Sequence, residues 1–317
     1  MGAQLNRNEP PPFLPDLELI EEVGSGGMAT VWKAYDKNRR EIVAVKLMKP
    51  ELTTRREDLK LFVAEEKAME KISHPGIVKS YDLRVFRNSW YYIMEFVDGY
   101  NFSYLLNRKR HLQQVDCLLI CESIAAALDY VWREHGIVHC DIKPDNIMVN
   151  SDGIVKLTDL GLCRTFHALK EGTQHIDVPE QVLGTPAYIS PEQIYGDVML
   201  DCRSDIYQLG ASLYHLSTGR VLFPGLDGEG MMRAHCDGHA QARDPRDYDP
   251  SLTEGFCQLL EVMLVKDRNF RIASWGDVLT MCAQIERGGA FKPRTTPGVS
   301  SMRIHPVANW PQPGSAT

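Results

Sequence analysis

The feature that most constrains this chain is a change of pattern at Asp98-Gly99. From Leu17 to about Val97, the segments LELIEEVG, TVWKAYDK, EIVAVKLM and WYYIMEFV are rich in β-branched and aromatic residues, with Gly or Asn/Arg between them. That composition predicts strands. One segment there differs: Glu57 to Ile72 has helical composition and sets Leu61, Ala64, Ala68 and Ile72 on one stripe. After Gly99 the pattern turns helical, with a long amphipathic stretch at Gln114 to Arg133 and further helical segments near 191–196, 203–218, 252–265 and 274–286. Strands gathered before helices predict an α+β fold, with a small unit of about five strands and one helix at 16–97 and a larger, mostly helical one at 98–286. Residues 1–15, with Pro10-Pro11-Pro12 and Pro15, predict an extended arm. Residues 287–317, rich in Pro, Gly, Ser and Thr, predict a tail or linker.

Composition narrows the function classes. Hydrophobic content of 44% and charged content of 24% belong to an ordinary soluble globular protein. A net charge of −7 supplies no basic field for nucleic acid. The eight cysteines form no CxxC pair or Cys/His cluster, so neither a zinc site nor a disulfide framework is expected, and the cytoplasm is the expected setting. The N-terminus lacks a signal-peptide pattern, and Met1-Gly2 opens like a myristoylation signal that Asn6 breaks. No apolar run spans a membrane, while the tail suggests a longer, sensor-bearing protein and leaves an anchor beyond residue 317 open.

Several short motifs carry chemistry. In GSGGMATV, Gly24 to Val31, glycines let backbone N–H groups approach phosphate oxygens. A strand follows rather than a helix, which argues for a hairpin flap and against a Rossmann or Walker loop. Lys46 ends the apolar run VAVK and needs an anionic partner, which Glu65 on the next helix could supply; Glu66 then points elsewhere, toward solvent. In IVHCDIKPDNIMV, Asp141 could accept a hydroxyl proton, Lys143 could neutralise phosphate and Asn146 could offer a carbonyl oxygen to a metal. Asp159, in VKLTDLG, is a second candidate ligand, and two such oxygens suit Mg²⁺ shared with phosphate. Taken alone, the glycine turn reads more readily as a hairpin and Lys46 or Glu65 as a surface charge, and each remaining piece could be a turn residue.

Together, in this order and with Ser190-Pro191-Glu192, they resemble the protein kinase superfamily from about Leu17 to Gln284. HPGIV at 74–78, DIKPDN and GTPAYISPE are similar to bacterial-type Ser/Thr kinases. The resemblance implies a two-lobed protein kinase fold with an ATP cleft between the lobes. It implies that Gly24, Ser25, Gly26 and the Gly27–Ala29 turn cover the ATP phosphates, and that Lys46, paired with Glu65, holds the α- and β-phosphates. Val31, Ala44 and Met148 would sandwich adenine, backbone groups of Glu95 and Val97 would bind its edge, and Met94 would guard the back. Asp141 would orient and deprotonate the substrate hydroxyl, Lys143 would steady the γ-phosphate, and Asn146 with Asp159 would hold Mg²⁺, or Mn²⁺ in its place. Lys143 and Thr185, the latter bridging Asp141 and Lys143, resemble the Ser/Thr pattern, so proteins bearing Ser or Thr are the implied substrates. Asp205 would brace the catalytic-loop backbone and Arg271 would pair with Glu192. A homodimer through the N-lobe stays open, and an ATP-binding pseudokinase scaffold is the rival reading.

Four positions depart from the family pattern. Ala29 replaces the third glycine of GxGxxG, which is tolerable if its φ is negative. Leu160 replaces Phe in DFG, with packing expected against Met69 and His139, and Ser190 replaces Ala in APE. Cys140 stands where many kinases carry the arginine that binds a phosphorylated activation loop, which makes this a non-RD variant. A thiol cannot pair with phosphate charge, so loop phosphorylation at Thr165, Thr173 or Thr185 is not expected to be the main switch. A thiolate beside Asp141 is disfavoured, which argues against a redox role.

Overall fold

The computed structural model describes residues 13–159, 164–165, 185–197 and 199–288. Two compact units form. One comprises the residues up to Lys71 together with Lys79–Phe96, the other Ile72–Val78 together with those from Val97 onward.

The first unit is an antiparallel sheet of β1 (Leu17–Ser25), β2 (Ala29–Asp36), β3 (Glu41–Met48), β4 (Ser80–Phe86) and β5 (Ser89–Glu95), in the order β1-β2-β3-β5-β4, with helix α1 (Arg56–Glu70). Its core gathers Leu14, Leu17, Ala34, Val43, Val45, Leu47, Tyr91 and Ile93, because the apolar run of β3 lies between β2 and β5. The buried face of α1 differs from the predicted stripe. It is Phe62, Glu65, Glu66 and Met69, with Ala64 exposed and Leu61 and Ala68 half-buried, while Ile72 is buried as expected but lies beyond the helix end. Two carboxylates can occupy that face because partners wait for them, Lys46 and Tyr92 for Glu65 and Ser80 for Glu66. Glu66 is therefore not turned to solvent. It accepts from Ser80 Oγ at 3.3 Å, and burial raises its pKa.

The second unit contains β6 (Gly99–Asn101), α2 (Phe102–Lys109), α3 (Gln114–His135), β7 (Ile137–Val138), β8 (Ile147–Asn150), β9 (Val155–Leu157), β10 (Arg164–Thr165), α4 (Pro191–Ile194), α5 (Cys202–Thr218), α6 (Gly228–Cys236), α7 (Glu254–Met263) and α8 (Trp275–Glu286). Helices α2 and α6 went unread in the sequence. They are short, and α6 carries two glycines, but Asn101 and Asp227 cap them by accepting from Tyr104 N and Gly230 N. Helix α5 is buried almost throughout and packs against α3 and α7. Strands β6, β8 and β9 form a small sheet, and β7 pairs with β10. A Cβ on Gly99 would lie 1.9 Å from the Val149 carbonyl oxygen, so only glycine lets β6 approach β8 this closely. The HPGIV segment joins this unit through backbone bonds, Leu157 N to Gly76 O at 2.8 Å and Val78 N to Leu157 O at 2.9 Å. Among the described residues, no helix is long and apolar enough to cross a membrane. Most of the predicted arm and nearly all of the tail lie outside the described residues, as do Leu160 with its expected packing, Gly161 and Thr173; of Thr165 only the backbone is described.

Candidate active site

In the first unit, the β1–β2 turn is closed by Gly26 N donating to Ala29 O at 2.9 Å. A Cβ on Gly24, Gly26 or Gly27 would meet nothing closer than 3.8 Å, and none of the three has a positive φ. The unit's own packing does not demand these glycines, which fits a turn kept bare for an outside group. Ala29 is buried and its φ is not positive, so its methyl is accommodated. Strand pairing sets Val31 opposite Lys46, Ala44 opposite Met94 and Val43 opposite Glu95. Glu95 donates its amide to Lys79 O at 2.8 Å.

Lys46 Nζ lies 2.6 Å from Glu65 Oε1, and the same oxygen accepts from Tyr92 Oη at 2.9 Å. Tyr92 stands opposite Lys46 in the β3–β5 register, so both side chains reach α1 from one face of the sheet. Sequence reasoning missed Tyr92. The available signal was its place two residues before Met94, in register with a lysine already in need of a buried carboxylate.

In the second unit, the chain from β7 to β8 holds Asp141, Lys143 and Asn146 together. Asp141 Oδ2 accepts from Lys143 Nζ at 2.7 Å and Asn146 Nδ2 at 3.2 Å, and Oδ1 accepts from Thr185 Oγ1 at 3.0 Å. Lys143 Nζ also reaches Thr185 Oγ1 at 2.8 Å, closing a triangle of carboxylate, ammonium and hydroxyl. Asn146 donates to the Asp141 carbonyl at 2.9 Å, which turns its own side-chain oxygen away from that contact. Its backbone carbonyl accepts from Thr158 N at 2.9 Å and so draws Asp159, held at φ 59°, toward the same place. An amide oxygen and a carboxylate are hard donors that fit Mg²⁺. Met148 is half-buried on β8, and Val97 is buried.

The frame beneath these groups is polar and buried. Asp205 Oδ2 accepts from His139 N at 2.8 Å and Oδ1 from Cys140 N at 2.9 Å. Burial pushes the Asp205 carboxyl up to about 7, while the two backbone donors pull the other way. Burial also lowers the pKa of His139, keeping its ring neutral. Its Nδ1 accepts from Asp141 N at 3.2 Å and its Nε2 donates to Thr158 O at 3.1 Å. His139 thus ties the loop of Asp141 to the strand end that carries Asp159. Cys140 stands at φ 68° with its buried side chain among Val138, Leu200 and Trp132. An inaccessible thiol in an apolar setting is a poor redox group. Arg271 donates to Glu192 at 2.7 and 3.1 Å, and Ser204 donates to Glu192 at 2.7 Å. Ser190 is fully buried and its hydroxyl donates to Gln193 Oε1 at 2.9 Å.

A family model described as "Protein kinase domain" matches residues 17–282. Among similar curated proteins, a probable serine/threonine-protein kinase of Clostridium acetobutylicum is 39% identical over 64% of this chain and 30% of its own length. The probable serine/threonine-protein kinase PknB of Bifidobacterium longum is 33% identical over 92% of this chain and 43% of its own. The serine/threonine-protein kinase PrkC of Bacillus subtilis is 32% identical over 79% of this chain and 37% of its own. The chain spans less than half the length of these three relatives.

Proposed function

Because the chain belongs to the protein kinase domain family, we propose that it transfers the γ-phosphoryl group of ATP to serine and threonine hydroxyls of proteins. The observation that carries the proposal is the Asp141–Lys143–Thr185 triangle, in which one carboxylate is held by an ammonium and a hydroxyl. Held so, Asp141 receives the proton of the attacking hydroxyl. The new bond forms between that oxygen and the γ-phosphorus, and the bond to the bridging oxygen of ADP breaks. Lys143 offsets charge on the phosphoryl group in flight, and Lys46, kept in place by Glu65, does so at the α- and β-phosphates. Both sets of residues are assigned to one ATP, with the bare β1–β2 turn over its phosphates. Asn146 and Asp159 would hold Mg²⁺, or Mn²⁺ in its place, which neutralises phosphate charge when bound.

Lys143 and Thr185 support serine and threonine over tyrosine as acceptors. Regulation is proposed to run without the usual arginine–phosphate contact, since the Cys140 side chain offers no cation and sits in an apolar cluster. The test is phosphate transfer from ATP with Mg²⁺ to serine-, threonine- and tyrosine-bearing peptides, with Asp141→Asn alongside. Wild type should label serine and threonine peptides at least a hundredfold faster than the variant. Equal labelling by the two would leave the pseudokinase scaffold as the reading.

A further inference from the structure

Helix α5 reaches the catalytic loop with a second side chain beside Asp205. Asp205, Gln208 and Ser212 recur at spacings of three and four, so they share one face of α5. Asp205 takes the His139 and Cys140 amides, and Ser212 Oγ donates to Ile142 O at 3.2 Å. Gln208 lies between them, almost fully buried, and uses both ends of its amide. Its Oε1 accepts from Ile142 N at 2.8 Å and its Nε2 donates to Cys140 O at 2.8 Å.

Those two contacts bracket a single residue. The Cys140 carbonyl belongs to the peptide plane before Asp141, and the Ile142 amide to the plane after it. One side-chain amide therefore fixes both planes that meet at the Asp141 Cα, and with them the direction of its Cα–Cβ bond. Gln193 supports the arrangement, donating to the same Cys140 carbonyl at 2.9 Å and accepting from Gln208 Nε2 at 2.7 Å. The Cys140 backbone sits in the left-handed region, where a residue with a Cβ needs outside support, and these amides supply it.

We propose that Gln208 is a positioning residue that aims the Asp141 carboxylate at the substrate hydroxyl, a role taken from inside the fold where Cys140 leaves no cation to order the loop. The inference rests on the kinase reading above. A core glutamine that merely satisfied its own polar atoms would affect folding, not the aim of Asp141, and the two roles separate in kinetics.

The experiment compares Gln208→Met and Gln208→Glu with wild type as the full 317-residue chain, well below each melting temperature, with a serine peptide, ATP and Mg²⁺. Methionine keeps the length and loses both bonds. Its kcat should fall roughly tenfold to a hundredfold, with KM for ATP and peptide within about twofold of wild type. Glutamate donates at this site only when protonated, so kcat of Gln208→Glu relative to wild type should rise as pH falls, while the Gln208→Met ratio stays flat. Should Gln208→Met not fold, the pH trend of Gln208→Glu decides alone. The proposal is overturned if kcat of Gln208→Met stays within twofold of wild type, or if the Gln208→Glu ratio does not change with pH. Wild type no more active than Asp141→Asn would instead defeat the kinase reading. Amide exchange at Ile142 then decides this one, faster exchange confined to the loop of Asp141 in Gln208→Met supporting it and unchanged exchange overturning it.

Discussion

At Glu65, a single carboxylate oxygen serves two donors, an ammonium at 2.6 Å and a phenol at 2.9 Å. If Lys46 turns toward phosphate as proposed, it would loosen its hold on Glu65, and the Tyr92 hydroxyl would keep the carboxylate anchored meanwhile. Tyr92→Phe should therefore raise KM for ATP about threefold to tenfold, the net worth of one ordinary hydrogen bond. Steady-state titration of ATP checks this. The Lys46–Glu65 pair was legible in the sequence because a lysine ending an apolar strand demands a carboxylate. Tyr92 was not, because its hydroxyl acquires meaning only once the β3–β5 register sets it opposite Lys46. The same holds for Glu66. Read as a surface charge, it is buried because β4 brings Ser80 to it, a contact that helical periodicity cannot reveal.

At the scale of elements, β1, β2, β3, β5 and the long helices were readable because their patterns are local. The buried face of α1 was not, since two of its inward residues are carboxylates that a count of apolar positions assigns to the outside. Glycine at position 99 is an element-level constraint of another kind. Gly99→Ala should destabilise the protein by more than the ~1 kcal/mol of an ordinary strand substitution, because its methyl would drive into the Val149 carbonyl. Urea unfolding of the two proteins measures it. The ion pair of Arg271 with Glu192, between the segment preceding α8 and helix α4, sets a pH dependence. Burial alone would raise the Glu192 pKa, but the Arg271 hydrogen bonds and charge overcome it and hold the carboxyl below its ordinary 4.5. A depressed folded pKa means stability that is complete above about 4.5 and is lost as pH falls through the folded value. Removing one partner of a buried pair costs about 3–5 kcal/mol. Glu192→Gln should thus melt well below wild type at pH 7, and the gap should narrow as pH drops beneath 4.5. Thermal melts across pH test both parts.

For the whole molecule, the frame around Asp141 is built from within the second unit by Asp205, Gln208 and Gln193, and its Cys140 side chain supplies no cation. Phosphatase-treated protein should accordingly keep activity within a few-fold of the phosphorylated form, and a hundredfold drop would contradict the uncharged switch. Rates before and after treatment decide this. The two-part plan was visible in the sequence from the pattern change at Asp98-Gly99, but the path of the chain between the parts was not. It passes from one unit to the other after Lys71, returns after Val78 and leaves again after Phe96. The intervening HPGIV strap takes its backbone partners from Leu157. A ribosome that has made residue 96 has therefore delivered every residue of the first unit, yet the strap inside that stretch still awaits a strand not yet synthesised. Until β9 emerges, that segment lacks the backbone partners it has in the finished fold, so it is the last part of the stretch to be fixed.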